Sequence, residues 1–274
     1  MGRRANLQIP LMIGLVVFTF LNLVPILWGF LISIRQPADA FAIPPRLFIS
    51  PTFTFHYQVW IERGFLRFLI NSLIIAAGTI CISVPIGTLA AYGLARTKAR
   101  HTRSLLFGLL AIRMLPQILL AIPFFVMARF FDMIDTYWMM ILAMVAINQP
   151  FTIWLMRSFF LDVPIELDEA ALIDGANRWQ AFHMIILPAV RPGLAVTALF
   201  SMLLAYNEFL FALVLTGSRT KTLPVAIAEY GGEDLNYWSL SAAGAIGIML
   251  PVVIFTIAVQ RNLIRGLTFG AVKG

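Results

Sequence analysis

The sequence predicts an all-α membrane protein with six transmembrane helices. Of its 274 residues, 60% are hydrophobic and 12% are charged, and the mean hydropathy is +0.88. A soluble domain carries about 25% charged residues, so this chain has too little polar surface to cover a globule in water. Its apolar residues also gather into runs of about 20, which is the length that a helix needs to cross a bilayer.

Six apolar runs reach this length, and each predicts one membrane-spanning helix. The first run is too long for a cleaved signal peptide. Every run contains proline or glycine, which membrane helices tolerate because neighbouring groups satisfy the freed backbone. The predicted spans are Ile9–Ile34, Phe65–Leu94, Leu105–Ala128, Tyr137–Phe160, Pro192–Gly217 and Leu240–Ile264.

Basic residues orient these spans, because the cytoplasmic loops of membrane proteins carry an excess of lysine and arginine. Seven basic residues fall on one side: Arg35, Arg46, Arg63, Arg67, Arg129, Arg219 and Lys221. Twelve fall on the other: Arg3, Arg4, Arg96, Lys98, Arg100, Arg103, Arg157, Arg178, Arg191, Arg261, Arg265 and Lys273. The second side is predicted to be cytoplasmic, with both termini on it. This bias also accounts for the net charge of +7, so we expect no nucleic-acid binding.

The polar loop Leu161–Val190, between the fourth and fifth spans, predicts two short helices joined at a glycine. Asp162 is predicted to cap a helix over Ile165–Asp174, whose first turns are acidic and so complement the helix dipole. Gly175 is predicted to end this helix in a left-handed conformation.

The second helix of this loop is predicted to begin at Asn177, with Gln180 completing a capping box. Leu187-Pro188 is predicted to end it. An apolar stripe at helical spacing is formed by Trp179, Phe182 and Ile186. Such a pair could lie on the bilayer surface. The acidic front favours a protein partner instead, because anionic lipid would repel it.

The chain lacks the sequence patterns of common catalytic and nucleotide-binding sites. It contains no G-x-x-x-x-G-K-[ST] phosphate loop, no H-E-x-x-H and no G-x-S-x-G. Its three histidines, His56, His101 and His183, fall in separate loops and predict no metal site. The single cysteine, Cys81, excludes a disulfide framework. Any uphill transport must draw its energy from a partner or from an ion gradient.

The polar loop resembles the EAA signature of ABC importer permeases. The matching residues are Glu169-Ala170-Ala171, then Gly175, Ile185 and Leu187-Pro188, at the spacing of that signature. Further segments are similar to the carbohydrate, maltose-type branch, and within it to the smaller of two paired permeases. They are Asn71-Ser72-Leu73, Ala90–Arg96, Asp135-Thr136-Tyr137-Trp138, Asn207-Glu208-Phe209 and Arg265–Gly274. Tyr206 and Phe269 depart from the branch, which more often has tryptophan and a small residue there.

The resemblance implies the six-helix type I ABC importer (MetI-like) fold in a bacterial inner membrane. It implies a second permease as heterodimer partner, two ATP-binding cassette subunits and an extracytoplasmic solute-binding protein. The chain would be a transport subunit and not an enzyme. It would bind no cofactor, because ATP and Mg²⁺ belong to the ATPase partners. The residues expected to dock on an ATPase are Glu169, Ala170, Ala171, Asp174, Gly175, Ala176 and Arg178.

Three regions follow from this assignment. Residues 1–64 are expected to form the first helix and an outer loop, and residues 65–264 the permease core with its loop at 161–190. Residues 265–274 are expected to form a cytoplasmic tail, which in relatives reaches the ATPase interface.

Polar side chains inside the spans are candidates for the transport pathway, because polar groups at membrane depth are costly. The candidates are Asn71, Gln117, Asn148, Gln149, Asn207 and Glu208. At about 1.5 Å per helical residue, Asn71 and Glu208 have similar depths, so we expect them to approach each other or share a neighbour near the outer gate. The alternative role for these side chains is hydrogen bonding between helices. Arg113 is expected either to snorkel or to pair with an acid of the partner permease.

Two other classes of protein compete with the permease. An ion-coupled secondary transporter acting without an ATPase would need intramembrane acids or an inverted repeat, and Glu208 is the one clear acid in the spans. A membrane enzyme is disfavoured by the missing catalytic patterns. The transported sugar or sugar derivative is not specified by the sequence.

Overall fold

The computed structural model describes residues 2–36, 39, 50–97, 101–229 and 235–268. For residues 2–8, 235–237 and 262–268 it describes the backbone alone. Within this described part, every regular element is a helix. The long helices are α1 (Gly2–Ser33), α3 (Phe65–Arg96), α6 (Tyr137–Leu161), α9 (Arg191–Tyr206) and α12 (Leu235–Thr268), and the shorter ones are α2 (Thr54–Tyr57), α4 (Thr102–Arg113), α5 (Gln117–Phe130), α7 (Glu166–Ile173), α8 (Arg178–Ala189), α10 (Leu210–Leu215) and α11 (Leu223–Ala228).

The expected all-α membrane architecture is confirmed. Four helical segments are long and apolar enough to cross a bilayer, and two bent pairs of helices bring the number to six if each pair is one span. The four are Ile9–Ser33, Phe65–Arg96, Tyr137–Leu161 and Trp238–Arg261.

The third predicted span is not one continuous helix, which corrects the expectation for Leu105–Ala128. Helix α4 ends at Arg113, α5 begins at Gln117, and the two axes differ by 88°. The break lies at Pro116, whose φ of −56° and ψ of 127° are extended. Proline has no backbone N–H and disfavours the helical conformation of the residue before it, so the helix stops there.

The fifth predicted span, Pro192–Gly217, is also interrupted. Helix α9 ends at Tyr206 and α10 begins at Leu210, so the polar residues Asn207 and Glu208 lie in the break. At its other end α9 follows α8 with a bend of 76°. Pro192 lies in the first turn of α9, where a missing N–H is tolerated.

The chain divides into two compact units, of which the first comprises Met1–Leu66 and Ala226–Leu250. In this unit, no residue in the most hydrophobic part of α1 is buried. The Ser239 hydroxyl donates to the Arg35 carbonyl over 3.3 Å. Gly247 of α12 lies against the indole of Trp60, and a Cβ added at Gly247 would be 1.8 Å from Trp60 Cζ2. A glycine is therefore required at this approach.

The second unit comprises Arg67–Val225 and Pro251–Gly274. Helices α3, α6 and α8 share a buried apolar cluster at the end of α3 that carries Arg96. We call this the hinge end. The cluster consists of Ala91, Ile153, Met156, Phe160, Phe182, Ile186 and Val190. The expected tail over residues 265–274 is described as helix as far as Thr268, and the remainder lies outside the described residues.

Candidate functional site

The polar loop forms the two helices that the sequence predicts, α7 and α8. We refer to residues 166–189 as the hinge segment. Helix α7 ends with Asp174 as its C-cap, and Gly175 follows with a φ of +88°. This left-handed conformation confirms the predicted helix end. The capping box is also confirmed, because Asn177 Oδ1 accepts from the Gln180 N–H over 2.9 Å and Gln180 Oε1 accepts from the Asn177 N–H over 2.8 Å.

Two predicted boundaries of the hinge segment are wrong. Asp162 does not cap α7. It is the C-cap of α6, because α6 runs to Leu161 and leaves Asp162 with helical dihedral angles. The second helix does not end at Leu187-Pro188 and continues to Ala189, because Pro188 falls in a first helical turn after a π-helical stretch over Ala181–Ile186. A proline is tolerated in that position.

The predicted apolar stripe of α8 is buried at two of its three positions. Phe182 and Ile186 are 4% and 0% exposed and belong to the cluster of the hinge end. Trp179 is 61% exposed, and its ring stacks on His183 at 6.3 Å between centroids. The first turn of α8 therefore extends beyond the packed cluster.

The signature residues of the hinge segment lie mainly on its open side. Glu169, Ala170, Asp174, Gly175 and Arg178 are exposed. Of the other two predicted docking residues, Ala171 is 2% exposed and packs inward, and Ala176 is half-buried. The small side chains and the free carboxylates leave this face accessible to a partner.

Asp168 ties the hinge segment to α3. Its Oδ2 accepts from Arg96 Nε over 2.8 Å, and its Oδ1 accepts from the Tyr92 hydroxyl over 2.5 Å. Arg96 Nη1 also donates to the Phe160 carbonyl of α6 over 3.0 Å. The two side chains are 15% and 11% exposed, so the pair is poorly solvated.

A groove of about 290 Å³ lies beside this ion pair. Asp168 and Glu169 contribute acids to it, and Arg96 and Arg178 contribute guanidinium groups. The groove therefore offers both signs of charge next to the signature residues.

Three of the predicted pathway residues converge on one cavity of about 20 Å³. Gln117 reaches it from the break between α4 and α5, Glu208 from the break between α9 and α10, and Asn148 from α6. Arg113, the last residue of α4, lines it too, with its guanidinium carbon 5.3 Å from the centroid of the Phe151 ring. Interrupted helices that bring polar groups to one point are typical of substrate pathways in transporters.

The polar atoms around this cavity differ in whether they have hydrogen-bond partners. Asn148 is 2% exposed and its Nδ2 donates to the Ser201 carbonyl over 3.5 Å, while its Oδ1 has no hydrogen-bond partner within the described residues. Glu208 Oε1 accepts from the Phe211 N–H over 3.1 Å and so caps α10. The cavity has room for about one water molecule.

The other predicted pathway residues lie elsewhere. Gln149 Nε2 donates to the Ser83 carbonyl over 3.2 Å and so joins α6 to α3. Asn207 Nδ2 donates to the Leu203 carbonyl of its own helix over 2.9 Å. Asn71 is 1% exposed and donates to the carbonyls of Arg219 and Lys221. Asn71 and Glu208 thus form hydrogen bonds with different residues. The expected approach of these two side chains to each other is not among the contacts of the described residues.

Asp135 organises the end of the second unit opposite to the hinge end. Its carboxylate accepts from the N–H groups of Gly217, Arg219 and Thr220 over 2.8, 3.0 and 2.9 Å, and from the Thr220 hydroxyl over 2.7 Å. Asn71 also holds this loop, because its Nδ2 donates to the Arg219 and Lys221 carbonyls, and its Oδ1 accepts from the Tyr137 hydroxyl over 2.6 Å. We refer to residues 215–223 as the loop segment.

These contacts set the protonation of Asp135. Burial acts to raise the pKa of this carboxyl, but the Thr220 hydroxyl and the three N–H groups outweigh it and lower the pKa to about 2. Hydrogen bonds to the charged form favour that form, so Asp135 is a carboxylate at neutral pH.

No group of three or more His, Cys, Asp or Glu side chains that could hold a metal ion occurs among the residues that the structure describes.

Comparison with known proteins decides the family. Residues 83–269 match the family of binding-protein-dependent transport system inner membrane components. The chain belongs to this family. It is 37% identical over 257 residues to the trehalose transport system permease protein SugB of Mycobacterium tuberculosis, covering 92% of this chain and 93% of that one. It is 34% identical over 272 residues to the trehalose/maltose transport system permease protein MalG of Thermococcus litoralis, covering 97% of each.

The fold of this inner membrane component also matches solved structures. A chain of a bacterial ABC transporter that imports the acidic polysaccharide alginate superposes with a TM-score of 0.74 at 22% identity, covering 95% of this chain and 98% of that one. The MetNI methionine ABC transporter matches with a TM-score of 0.57 at 19% identity, covering 75% of this chain and 95% of that one. The expected resemblance to carbohydrate-branch permeases and the type I importer fold are both confirmed.

Several residues of this inner membrane component were not singled out from its sequence. Asp135, Tyr92 and Arg96 lie in segments that resemble the family, but the sequence predicts none of their hydrogen-bond partners. Asp168 was counted with the other acids of α7. Their partners are distant in sequence, as with Asp168 and Arg96, so local patterns could not identify the contacts.

Proposed function

We propose that this chain is the membrane-spanning permease subunit of an ATP-driven importer for a sugar or sugar derivative. The observation that carries this proposal is the hinge segment. It has the EAA signature, a left-handed Gly175 at its bend and an open face bearing Glu169 and Asp174. Two relatives support the substrate class, because they are permease proteins of a trehalose and a trehalose/maltose transport system.

The hinge segment docks on one of two ATP-binding cassette subunits. These subunits bind ATP and Mg²⁺, whereas this chain carries no phosphate loop in its sequence and is a transport component without enzymatic activity of its own. A second permease completes the pathway, and an extracytoplasmic solute-binding protein delivers the sugar. Both termini and the hinge segment face the cytoplasm, in accord with the distribution of basic residues.

The cavity between the two helix breaks marks where this subunit contributes to the pathway and gate. Gln117, Asn148 and Glu208 offer donors and acceptors that suit sugar hydroxyl groups. The Oδ1 of Asn148, which has no partner in the described part of the chain, can accept a hydrogen bond from a hydroxyl group or from water. Asn71, Gln149 and Asn207 act as supports, because their amides bind backbone carbonyls.

The test is to co-express the chain with the second permease, the ATPase subunits and the binding protein, and to measure co-purification and ATP hydrolysis. The chain alone should hydrolyse no ATP. Glu169→Lys should reduce the co-purifying ATPase at least about tenfold, equivalent to ~1.4 kcal/mol, because we propose that Glu169 faces a basic surface of the ATPase, which a lysine would repel.

The matched control is Asp162→Lys. It makes the same charge change at an exposed residue of the same loop that lies outside the hinge segment, and it should leave the ATPase bound. If no ATPase accompanies the parent chain, or if both variants retain it equally, the proposed function is wrong.

A further inference from the structure

Two neighbouring acids at the start of α7 face in different directions. Glu169 is exposed on the open side of the helix, whereas Asp168 is 8% exposed. Both carboxylate oxygens of Asp168 are bound by α3, one by Tyr92 and the other by Arg96. Only Glu169 is accessible to a docked protein, so the two acids have separate tasks.

Arg96 joins three elements at one point. It belongs to α3, it donates to Asp168 of α7, and it donates to the carbonyl of Phe160 in the last turn of α6. A guanidinium group is planar and holds its donors in fixed directions. Displacement of α7 would therefore pull on α3 and α6 together.

Tyr92 extends the connection to α8. Its ring centroid lies 5.5 Å from that of Phe160 on α6 and 4.8 Å from that of Phe182 on α8. The hydroxyl of the same ring donates to Asp168. One side chain thus contacts both helices of the hinge segment.

Helices α3 and α6 are also joined closer to their middles. Ser83 Oγ and Thr152 Oγ1 are 3.4 Å apart, and Gln149 donates to the Ser83 carbonyl. Asn148, on the same turn of α6, lines the cavity between the helix breaks. A pull applied at the hinge end therefore has a continuous packed route to that cavity.

We propose that Asp168, Arg96 and Tyr92 form the joint that transmits movement of the hinge segment to α3 and α6. This inference rests on the proposed function, because the movement comes from an ATPase docked on the open face of α7. The three side chains are positioning residues, and they act through the helices that they connect.

The test uses the complete complex, with the cognate binding protein as it is purified from the cell. The proposed joint links the hinge segment to helices α3 and α6, so addition of the binding protein outside should change ATP hydrolysis inside. Asp168→Asn should assemble with the ATPase at the parent level, since Glu169 is unchanged. It should keep hydrolysing ATP, while the change caused by the binding protein falls at least about fivefold. The control is Glu166→Gln, which removes an exposed charge from the same turn.

Tyr92→Phe provides a second variant, which deletes one hydroxyl and keeps the ring packing. It should weaken the response to the binding protein by itself and add little in the double variant with Asp168→Asn, because both act on one joint. The joint is refuted if Asp168→Asn responds like the parent. It is also refuted if Asp168→Asn fails to assemble while Tyr92→Phe assembles and responds normally. Either result leaves the proposed function standing as long as the parent chain binds the ATPase, whereas a parent chain that binds no ATPase removes both the joint and the proposed function.

Discussion

Asp135→Ala is expected to release the loop segment and to lower the local free energy of unfolding by about 3–5 kcal/mol. The carboxylate accepts three N–H groups and one hydroxyl group from Gly217, Arg219 and Thr220. Each hydrogen bond to a charged group contributes about 1.5–3 kcal/mol, and the contributions are not fully additive. Alanine would leave the three N–H groups without their acceptor.

The measurement is the rate of trypsin cleavage after Arg219 under native conditions. Cleavage tracks the population of the opened loop, so a loss of ~3 kcal/mol corresponds to a rate increase of about 100-fold. Asp132→Ala is the matched control, because Asp132 and Asp135 have similar positive φ values of 53° and 58° and so carry similar backbone strain. Equal cleavage rates in the two variants would contradict the role assigned to Asp135.

The same carboxylate makes the loop segment sensitive to acid. The pKa of Asp135 is about 2 in the folded chain, below the value of about 3.9 for an unfolded aspartate. Its contribution to stability is therefore complete above about pH 4 and is lost as the pH falls towards 2. As the pH falls from about 4 towards 2, pepsin should cleave the loop segment of the parent chain faster. The increase in cleavage rate over the same pH range should be smaller in Asp135→Ala.

Gly247→Ala should destabilise the first unit by about 2–3 kcal/mol, because the new Cβ would lie 1.8 Å from Cζ2 of Trp60. An indole ring is rigid, so relief requires the helix or the Trp60 segment to move. Thermal unfolding of the purified chain in detergent measures the effect.

Gly29→Ala is the control for this substitution, because a Cβ at Gly29 meets nothing within 4 Å. Alanine is the better helix former by about 1 kcal/mol, so this variant should be neutral or slightly stabilising. Trp60→Leu combined with Gly247→Ala should recover part of the loss. If Gly247→Ala and the parent chain unfold at the same temperature, the close approach of α12 to Trp60 is not a constraint on stability.

Local rules predicted the parts of the hinge segment that depend on neighbours three or four residues away. Gly175 and the Asn177–Gln180 capping box are of this kind. The prediction that Asp162 caps α7 was wrong because α6 runs to Leu161 and takes Asp162 as its own C-cap, and α7 begins only after Ile165.

The sequence marks Pro116 as a residue that could break its helix, but the interruption at Asn207 is not predicted, because composition alone measures the length of an apolar run. A proline in a membrane helix produces either a kink or a break, depending on what surrounds it. The pathway candidates were drawn from polarity at depth, and this criterion does not separate Asn148, which lines the cavity, from Asn71, which holds a loop. The sequence distance of 72 residues between Arg96 and Asp168 hides their contact in the same way.

The two interrupted helices have a consequence for how the chain can exist in a cell. Each break frees peptide groups inside a predicted span, where hydrocarbon offers them no hydrogen bonds and each unsatisfied group costs several kcal/mol. Some of these groups bond within the chain, as the Met114 and Asn207 N–H groups do, and the groups that do not must be hydrated or covered by another polypeptide. If the proposed second permease provides this cover, copies of this chain made in excess of it should be degraded by membrane proteases, so the abundance of this chain should follow that of the second permease.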